Sequence, residues 1–301
     1  MTPEEARQYL DPKTLVKLQR LDLVARLVVE GFVTGLHRSP YHGFSVEFAE
    51  HREYVPGDDI KHIDWKVYGR SDRYYIKQYE EETNLEATIV LDVSESMLYA
   101  SEEVSKLDYA CFVAASLAHM IINQQDSVGM GMFSDEIQQF VPPSSHPSHL
   151  KNILNSLATK ESRKKTDLGR VFEAMAERLR KKGLVIIISD LFGDVEATIR
   201  GLRHFRHRRH EVVLFHVLDR SELEFPFDSI TRFEGLEETG NLLVNPRSLK
   251  RAYLEEFDGF IRDIRRACRK SRIDYVMMNT TTPLDVALTS YLATRSERKL
   301  A

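Results

Sequence analysis

The sequence predicts an α/β fold with a mainly parallel central sheet and helices on both faces, preceded by a small N-terminal helix and β-rich region. After Glu86, short apolar runs alternate with segments of helical periodicity, which is the arrangement that builds a parallel sheet. These runs are almost continuously apolar, as in strands that are buried on both faces. The sequence before Glu86 does not show this alternation, so we predict two domains, residues 1–85 and residues 86–301.

The N-terminal region combines one helix with short strands. Residues 13–33 place apolar side chains such as Leu15 and Leu18 at near-helical spacing between charges, which predicts an amphipathic helix. From Gly35 to about Glu86, aromatic residues, glycines and runs such as SVEF and YYIKQY predict short strands. The Pro56-Gly57 pair suits the two central positions of a type II turn.

The second domain contains five apolar runs that predict strands. They are ATIVL (87–91), SVGMGMF (127–133), LVIII (184–188), EVVLFHVL (211–218) and DYVMM (274–278). Helical periodicity predicts crossover helices over Lys106–Asn123 and 167–181, a long basic helix over 248–272, and a last helix from residue 283. Between the last two strands, residues 230–246 resemble a hairpin that turns at 239–241.

The bulk composition indicates an ordinary globular protein. A net charge of −4 argues against a dedicated nucleic-acid binder, and the basic clusters at 160–165, 203–210 and 262–272 are typical of solvated helix faces. Cys111 and Cys268 indicate neither a disulfide framework nor a zinc site. We find no secretory signal and no run of roughly 18 apolar residues. We therefore expect a cytoplasmic protein without a membrane span.

A run of oxygen-bearing side chains follows the first strand of the second domain. Asp92, Ser94 and Ser96 form an Asp-x-Ser-x-Ser motif at the carboxyl end of a buried strand, where open parallel sheets bind ligands. Alternate residues of an extended segment face the same way, so these three side chains can present their oxygens to one point. One carboxylate and two hydroxyls form the hard oxygen set that Mg²⁺ prefers.

Two later residues extend this predicted cation site. Thr166 opens a predicted helix and Asp190 ends a predicted strand, and both would lie at the same edge of the sheet as Asp92 if their strands are neighbours. Few carboxylates would then surround the ion, which would stay partly unneutralised and accept a carboxylate from another molecule. We expect one ion per chain, Mg²⁺ or else Mn²⁺ or Ca²⁺. Taken singly, each motif is also typical of turns and helix caps.

The three motifs together resemble the metal-ion-dependent adhesion site of von Willebrand factor A domains. DVSES, Thr166 in TDL and Asp190 in ISDL match that site, and GMGMFSDE (129–136) is similar to the third-strand region. The run from residue 47 to residue 82 resembles the lead-in of the bacterial domain of unknown function 58 family. The resemblance implies a Rossmann-like A domain, with Asp92, Ser94, Ser96 and Thr166 as ligands and Asp190 acting directly or through water. It also implies work with MoxR-type AAA+ ATPases in protein maturation or complex assembly.

Two other readings of the sequence are open. A Mg²⁺-dependent phosphate-ester hydrolase also has an aspartate after its first strand, but it needs a second acid two positions later, where this chain has Ser94. No Walker loop or nucleophile elbow occurs, which favours a binding protein over an enzyme. The acids and histidine of PGDDIKHIDW (residues 56–65) include Asp58, Asp59, His62 and Asp64, and they are typical of a solvated turn rather than of a second metal site.

Overall fold

The computed structural model describes residue 25 and residues 51–54, 67–69, 73–77, 85–159, 167–234, 240–284 and 286–288. The strands are β1 (His51–Glu53), β2 (Tyr75–Lys77), β3 (Glu86–Asp92), β4 (Ser127–Phe133), β5 (Ile137–Ser144), β6 (Leu184–Ser189), β7 (Glu211–Leu218), β8 (Thr231–Glu234), β9 (Asn241–Val244) and β10 (Asp274–Asn279). The helices are α1 (Lys106–Asn123), α2 (His149–Ala158), α3 (Leu168–Arg178), α4 (Val195–His207), α5 (Arg220–Glu224) and α6 (Pro246–Lys270).

The central sheet has six strands in the order β10-β7-β6-β3-β4-β5. All neighbouring pairs are parallel except β4 with β5, which is antiparallel. Counted within this sheet, the order is 3-2-1-4-5-6, which is the Rossmann order. The predicted fold class is therefore confirmed, and β3 lies at the centre with its carboxyl end beside that of β6.

The two faces of the sheet bury separate cores. Successive side chains of a strand point to opposite faces, so Ile89 and Ile186 pack in one cluster with α1 and α2. Val90 and Val185 pack in the other cluster with α3, α4 and α6. The central strands are therefore packed on both faces, and this packing places the residues at their carboxyl ends at one edge of the sheet.

Most predicted elements of the second domain are confirmed, and the differences have local causes. Helix α6 starts two residues earlier than predicted because the Asn245 side chain accepts a hydrogen bond from the Arg247 amide and Pro246 suits the first turn. Helix α3 ends at Arg178, three residues early, because Leu179 turns extended and is buried in the core. Strand β5 and helices α2 and α5 were not predicted, and α4 was indicated only by the basic cluster at 203–210.

The chain divides into two compact units, residues 38–84 and residues 1–37 together with 85–301. The first contains the antiparallel pair β1 and β2, and β2 lies within the predicted YYIKQY strand. The sequence predicts a single division after residue 85, whereas the units group residues 1–37 with the sheet. Ala25, the described residue of that range, is helical and packs in the core cluster of Ile89.

Three smaller expectations have an outcome in the described residues. Cys111 and Cys268 are buried and form no disulfide, and burial raises the pKa of Cys268 to about 12. Strands β8 and β9 pair antiparallel, as the predicted hairpin requires. Among the described residues, no helix combines the length and the apolar character needed to cross a membrane. The Pro56-Gly57 turn and the SVEF strand lie outside the described residues.

Candidate metal centre

The predicted site residues of β3 and β6 meet at the carboxyl edge of the sheet. The register pairs Leu91 with Ile188, so Asp92 stands beside Ser189 and Asp190 follows directly. Asp92 and Asp190 are each 1% exposed, so both carboxylates are in the interior. A buried carboxylate is costly unless it is paired or hydrogen-bonded, which makes the partners of these two residues informative.

The Asp92 carboxylate accepts hydrogen bonds from neutral donors. The backbone amide of Ser94 donates to Asp92 Oδ1 at 2.9 Å, and the Ser189 hydroxyl donates to Asp92 Oδ2 at 2.6 Å. The hydroxyls of Ser94 and Ser96 are hydrogen-bonded to each other at 3.0 Å. The loop thus brings the three side chains of the Asp-x-Ser-x-Ser motif together, and their role as cation ligands stays a prediction.

The charge of Asp92 is poorly compensated. Burial and, to a lesser extent, the negative charge of Asp190 raise the pKa of Asp92 to about 7, although the hydrogen bonds from Ser189 and Ser94 act to lower it. Within the hydrogen bonds and ion pairs of the described residues, Asp92 has no lysine, arginine or histidine partner. The electrostatics therefore favour the arrival of a proton or a cation at this carboxylate.

Asp190 is held quite differently. Its Oδ1 accepts a hydrogen bond from the Phe192 amide at 3.1 Å, and its Oδ2 forms an ion pair with Lys106 Nζ at 2.7 Å. Leu191, which lies between Asp190 and Phe192 in the chain, adopts a left-handed backbone conformation with φ of 56°, which is strained for a bulky residue. The Leu191 amide donates to the Ser189 hydroxyl at 2.9 Å, so the hydroxyl that contacts Asp92 also fixes this loop.

Lys106 and Glu222 belong to the same cluster, and neither was predicted from the sequence as a site residue. Lys106 is the first residue of α1 and is 1% exposed, and its ammonium also contacts Glu222 Oε1 at 2.6 Å. The Asp219 amide donates to Glu222 Oε2 at 2.7 Å in a capping box that starts α5. The Asp-x-x-Glu spacing of that box predicts the start of a helix at α5, but it does not predict an ion pair with Lys106.

His216 of β7 supports the loop that carries Asp190. Its Nε2 is 2.9 Å from the Asp190 carbonyl oxygen and its Nδ1 is 2.8 Å from the Tyr275 hydroxyl. A carbonyl can only accept, so Nε2 donates and Nδ1 accepts from the tyrosine. Burial lowers the pKa of His216 to about 4, and the imidazole is neutral near pH 7.

Thr166 lies outside the described residues, which resume at its neighbour. Asp167 caps α3 and accepts a hydrogen bond from the Arg170 amide at 3.2 Å. A Cβ built on Gly193 would lie 3.9 Å from Leu168 Cδ1, so the start of α3 approaches the loop after Asp190. The remaining candidates of the sequence, Asp58, Asp59, His62 and Asp64, also lie outside the described residues.

In the part of the chain that the structure describes, no group of three or more His, Cys, Asp or Glu side chains could hold a metal ion. A cation at this edge therefore depends on serine and threonine hydroxyls as well as on carboxylates. Hydroxyls suit Mg²⁺, Mn²⁺ or Ca²⁺ better than the softer metals that thiolates and imidazoles select.

The chain is similar to several bacterial proteins. It is 29% identical over 219 residues to the uncharacterized proteins Rv1480 of Mycobacterium tuberculosis (strain ATCC 25618 / H37Rv) and Mb1516 of Mycobacterium bovis (strain ATCC BAA-935 / AF2122/97). Each alignment covers 72% of this chain and 68% of the relative.

Solved structures with a similar course of the chain include two proteins of low sequence identity. The conserved hypothetical protein BatB from Bacteroides thetaiotaomicron is 17% identical, with a TM-score of 0.47 over 71% of this chain and 99% of that one. The SpRpn10 VWA domain is 15% identical, with a TM-score of 0.39 over 68% of this chain and 94% of that one. The family model described as "Protein of unknown function DUF58" matches residues 50–259, more than half of the sequence, and the chain belongs to that family.

Proposed function

We propose that this chain is a protein-interaction module that holds one divalent cation at Asp92, Ser94 and Ser96 and uses it to bind an acidic side chain of a partner. The observation that carries the proposal is Asp92, a buried carboxylate whose described partners are a hydroxyl and an amide. Two further hydroxyls, 3.0 Å apart, belong to the same loop. This donor set fits Mg²⁺, with Mn²⁺ or Ca²⁺ as substitutes.

Thr166 and Asp190 complete the proposed site. The start of α3 lies near the loop after Asp190, which supports a contribution from Thr166. Asp190 contributes directly or through a water molecule, since one of its oxygens is paired with Lys106. A cation with so few charged ligands keeps positive charge and a coordination place for a carboxylate from another molecule. We assign the site a binding role and no catalytic one.

Apolar side chains near the proposed site also support binding of a protein. Leu98, two residues after Ser96, is 46% exposed, and Phe192, two residues after Asp190, is 40% exposed. Exposed apolar groups beside a polar site are common in interfaces, where they exclude water from the central contact. We therefore infer that the partner presents Asp or Glu next to apolar residues. The family resemblance makes a MoxR-type AAA+ ATPase the first partner to test, and a cytoplasmic location fits it.

A pull-down with a purified MoxR-type ATPase of the same organism tests the proposal. We expect retention in Mg²⁺, loss in EDTA, and loss with Asp92→Asn in Mg²⁺. Glu95→Gln is the matched control because it removes a carboxylate from the same loop but none of the proposed ligands. Retention that ignores both EDTA and Asp92→Asn would show that the contact does not use a cation.

A further inference from the structure

Lys106 is a buried lysine shared by two carboxylates at the edge of the sheet that carries the proposed site. Its ammonium lies 2.7 Å from Asp190 Oδ2 and 2.6 Å from Glu222 Oε1. Two carboxylates at ion-pair distance favour the protonated form of the amine, so Lys106 is a charged ammonium in the folded protein.

The stability of α1 does not explain a lysine at this position. Positive charge at a helix N-terminus opposes the helix dipole, and the first turn of α1 already has a cap, because Ser105 Oγ accepts a hydrogen bond from the Asp108 amide at 3.0 Å. The rings of Phe192 and Tyr99 lie 4.9 and 5.8 Å from the ammonium and shield it from water. Such a shielded cation acts strongly on nearby charges, because little solvent screens it.

The charge that Lys106 acts on is that of Asp190. One oxygen of Asp190 is paired with the ammonium and the other accepts the Phe192 amide, so the side chain is fixed and largely neutralised. Without the ammonium, both the charge and a free oxygen of Asp190 would be available to a cation at Asp92. Ion affinity would rise, and the ion would keep less charge for a ligand from outside.

We propose that Lys106 is an internal counter-ion that limits the negative charge which the chain supplies to the cation, and thereby keeps the ion receptive to a partner's carboxylate. This inference rests on the proposed function. Lys106 is a positioning residue, because it acts through Asp190 and does not touch the ion. Glu222 also pairs with the ammonium and thereby reduces the extent to which Lys106 neutralises Asp190.

Titration of the full chain with Mn²⁺, followed by electron paramagnetic resonance of the free ion, tests the proposal. The key pair is Lys106→Met/Glu222→Gln against Glu222→Gln, which differ in the ammonium alone. We expect the double variant to bind Mn²⁺ about tenfold more tightly or better, since one unit of positive charge is removed near the ion. Glu222→Gln should bind a few-fold more weakly than the wild type, and Lys106→Arg should match the wild type because it keeps the charge.

Acetate at saturating Mn²⁺ gives the second readout. The paramagnetic relaxation of its methyl protons reports how tightly a carboxylate binds to the protein-held ion. We expect acetate to bind more weakly to the double variant than to Glu222→Gln, in the opposite direction to the change in Mn²⁺ affinity. A role for Lys106 in packing alone predicts no gain in Mn²⁺ affinity.

The outcomes separate this inference from the proposed function. If the wild type binds Mn²⁺ but the double variant binds it no more tightly than Glu222→Gln, the role of Lys106 is refuted and the binding function stands. If the wild type binds no Mn²⁺, both are refuted. If the double variant does not fold, Glu222→Gln decides, because an unchanged affinity for Mn²⁺ in that variant would contradict the electrostatic role.

Discussion

Asp92 ends β3 and Asp190 directly follows the neighbouring strand β6, and both are equally buried at the same edge of the sheet, yet their surroundings differ in charge. Asp190 is paired with the ammonium of Lys106, whereas the described partners of Asp92 are the Ser189 hydroxyl and the Ser94 amide. A paired buried carboxylate is satisfied within the chain, but a carboxylate with neutral donors retains a charge that burial penalises. Among the described residues, Asp92 is therefore the carboxylate without a cationic partner.

The largest expected effect on stability is that of removing the ammonium that pairs with Asp190. Lys106→Met leaves Asp190 and Glu222 as buried carboxylates without their cation, so we expect the free energy of unfolding in EDTA to fall by about 3–5 kcal/mol. Urea denaturation at pH 7.5 measures this. Lys151→Met, at an exposed lysine of α2, should change it by less than about 0.5 kcal/mol. Equal effects of the two substitutions would mean that the ion pair contributes nothing to the free energy of unfolding.

A smaller effect on stability is expected for the Ser189 hydroxyl, which contacts both Asp92 and the loop after Asp190. Ser189→Ala removes the donor to Asp92 Oδ2 and the acceptor of the Leu191 amide, both buried, and should cost about 2 kcal/mol in the same assay. Ser116→Ala is the control, since that buried hydroxyl donates to the Phe112 carbonyl within α1. A loss no larger than that of the control would contradict the assigned role of Ser189.

The charge of Asp92 should make the stability of the metal-free protein depend on pH. Because the folded-state pKa of Asp92 is raised from 3.8 to about 7, the folded protein holds this proton more tightly than the unfolded chain does. Between about pH 4 and 7 this residue therefore makes the metal-free protein less stable as pH rises, by on the order of 1 kcal/mol per pH unit.

The comparison with Asp92→Asn isolates that contribution. Other groups titrate in the same range, His216 with the opposite sign because burial lowers its pKa to about 4, and their contributions are common to both proteins. We expect the stability of Asp92→Asn relative to the wild type to increase as pH rises, as measured by urea denaturation in EDTA. A constant difference across this range would mean that the Asp92 charge is compensated.

The smallest effect on stability is expected for the hydroxyls. Ser94→Ala/Ser96→Ala removes both partners of one hydrogen bond, so unfolding in EDTA should change by less than about 1 kcal/mol. The affinity for Mg²⁺, measured by calorimetry, should nevertheless fall about tenfold or more, because two of the proposed ligands are lost. Unchanged Mg²⁺ binding would exclude these hydroxyls from the site.

The sequence predicted the buried strands and α1 well because apolar runs and helical periodicity report burial directly. It missed β5, whose segment IQQFVPPS contains Pro142 and Pro143 and is only partly buried. Proline is tolerated on an edge strand, such as this antiparallel one, but it is rare in central strands and therefore argues against a strand in the sequence.

The sequence suggested Asp92 and Asp190 as partners in one site, but not the difference between their environments. A lysine in the first turn of a helix is ordinarily solvated, and nothing local connects Lys106 with Glu222, which is 116 positions away. The ion pairs form only when the carboxyl ends of β3, β6 and β7 are brought to one edge. Such contacts require the packed sheet and cannot be read from residue spacing.

The most direct test of the cation site is anomalous diffraction from crystals of the full chain grown in MnCl₂. We predict one Mn²⁺ per chain in direct contact with an Asp92 carboxylate oxygen and with the hydroxyls of Ser94 and Ser96, while Lys106 is still paired with Asp190. Strong anomalous density elsewhere, with none beside Asp92, would contradict the proposal.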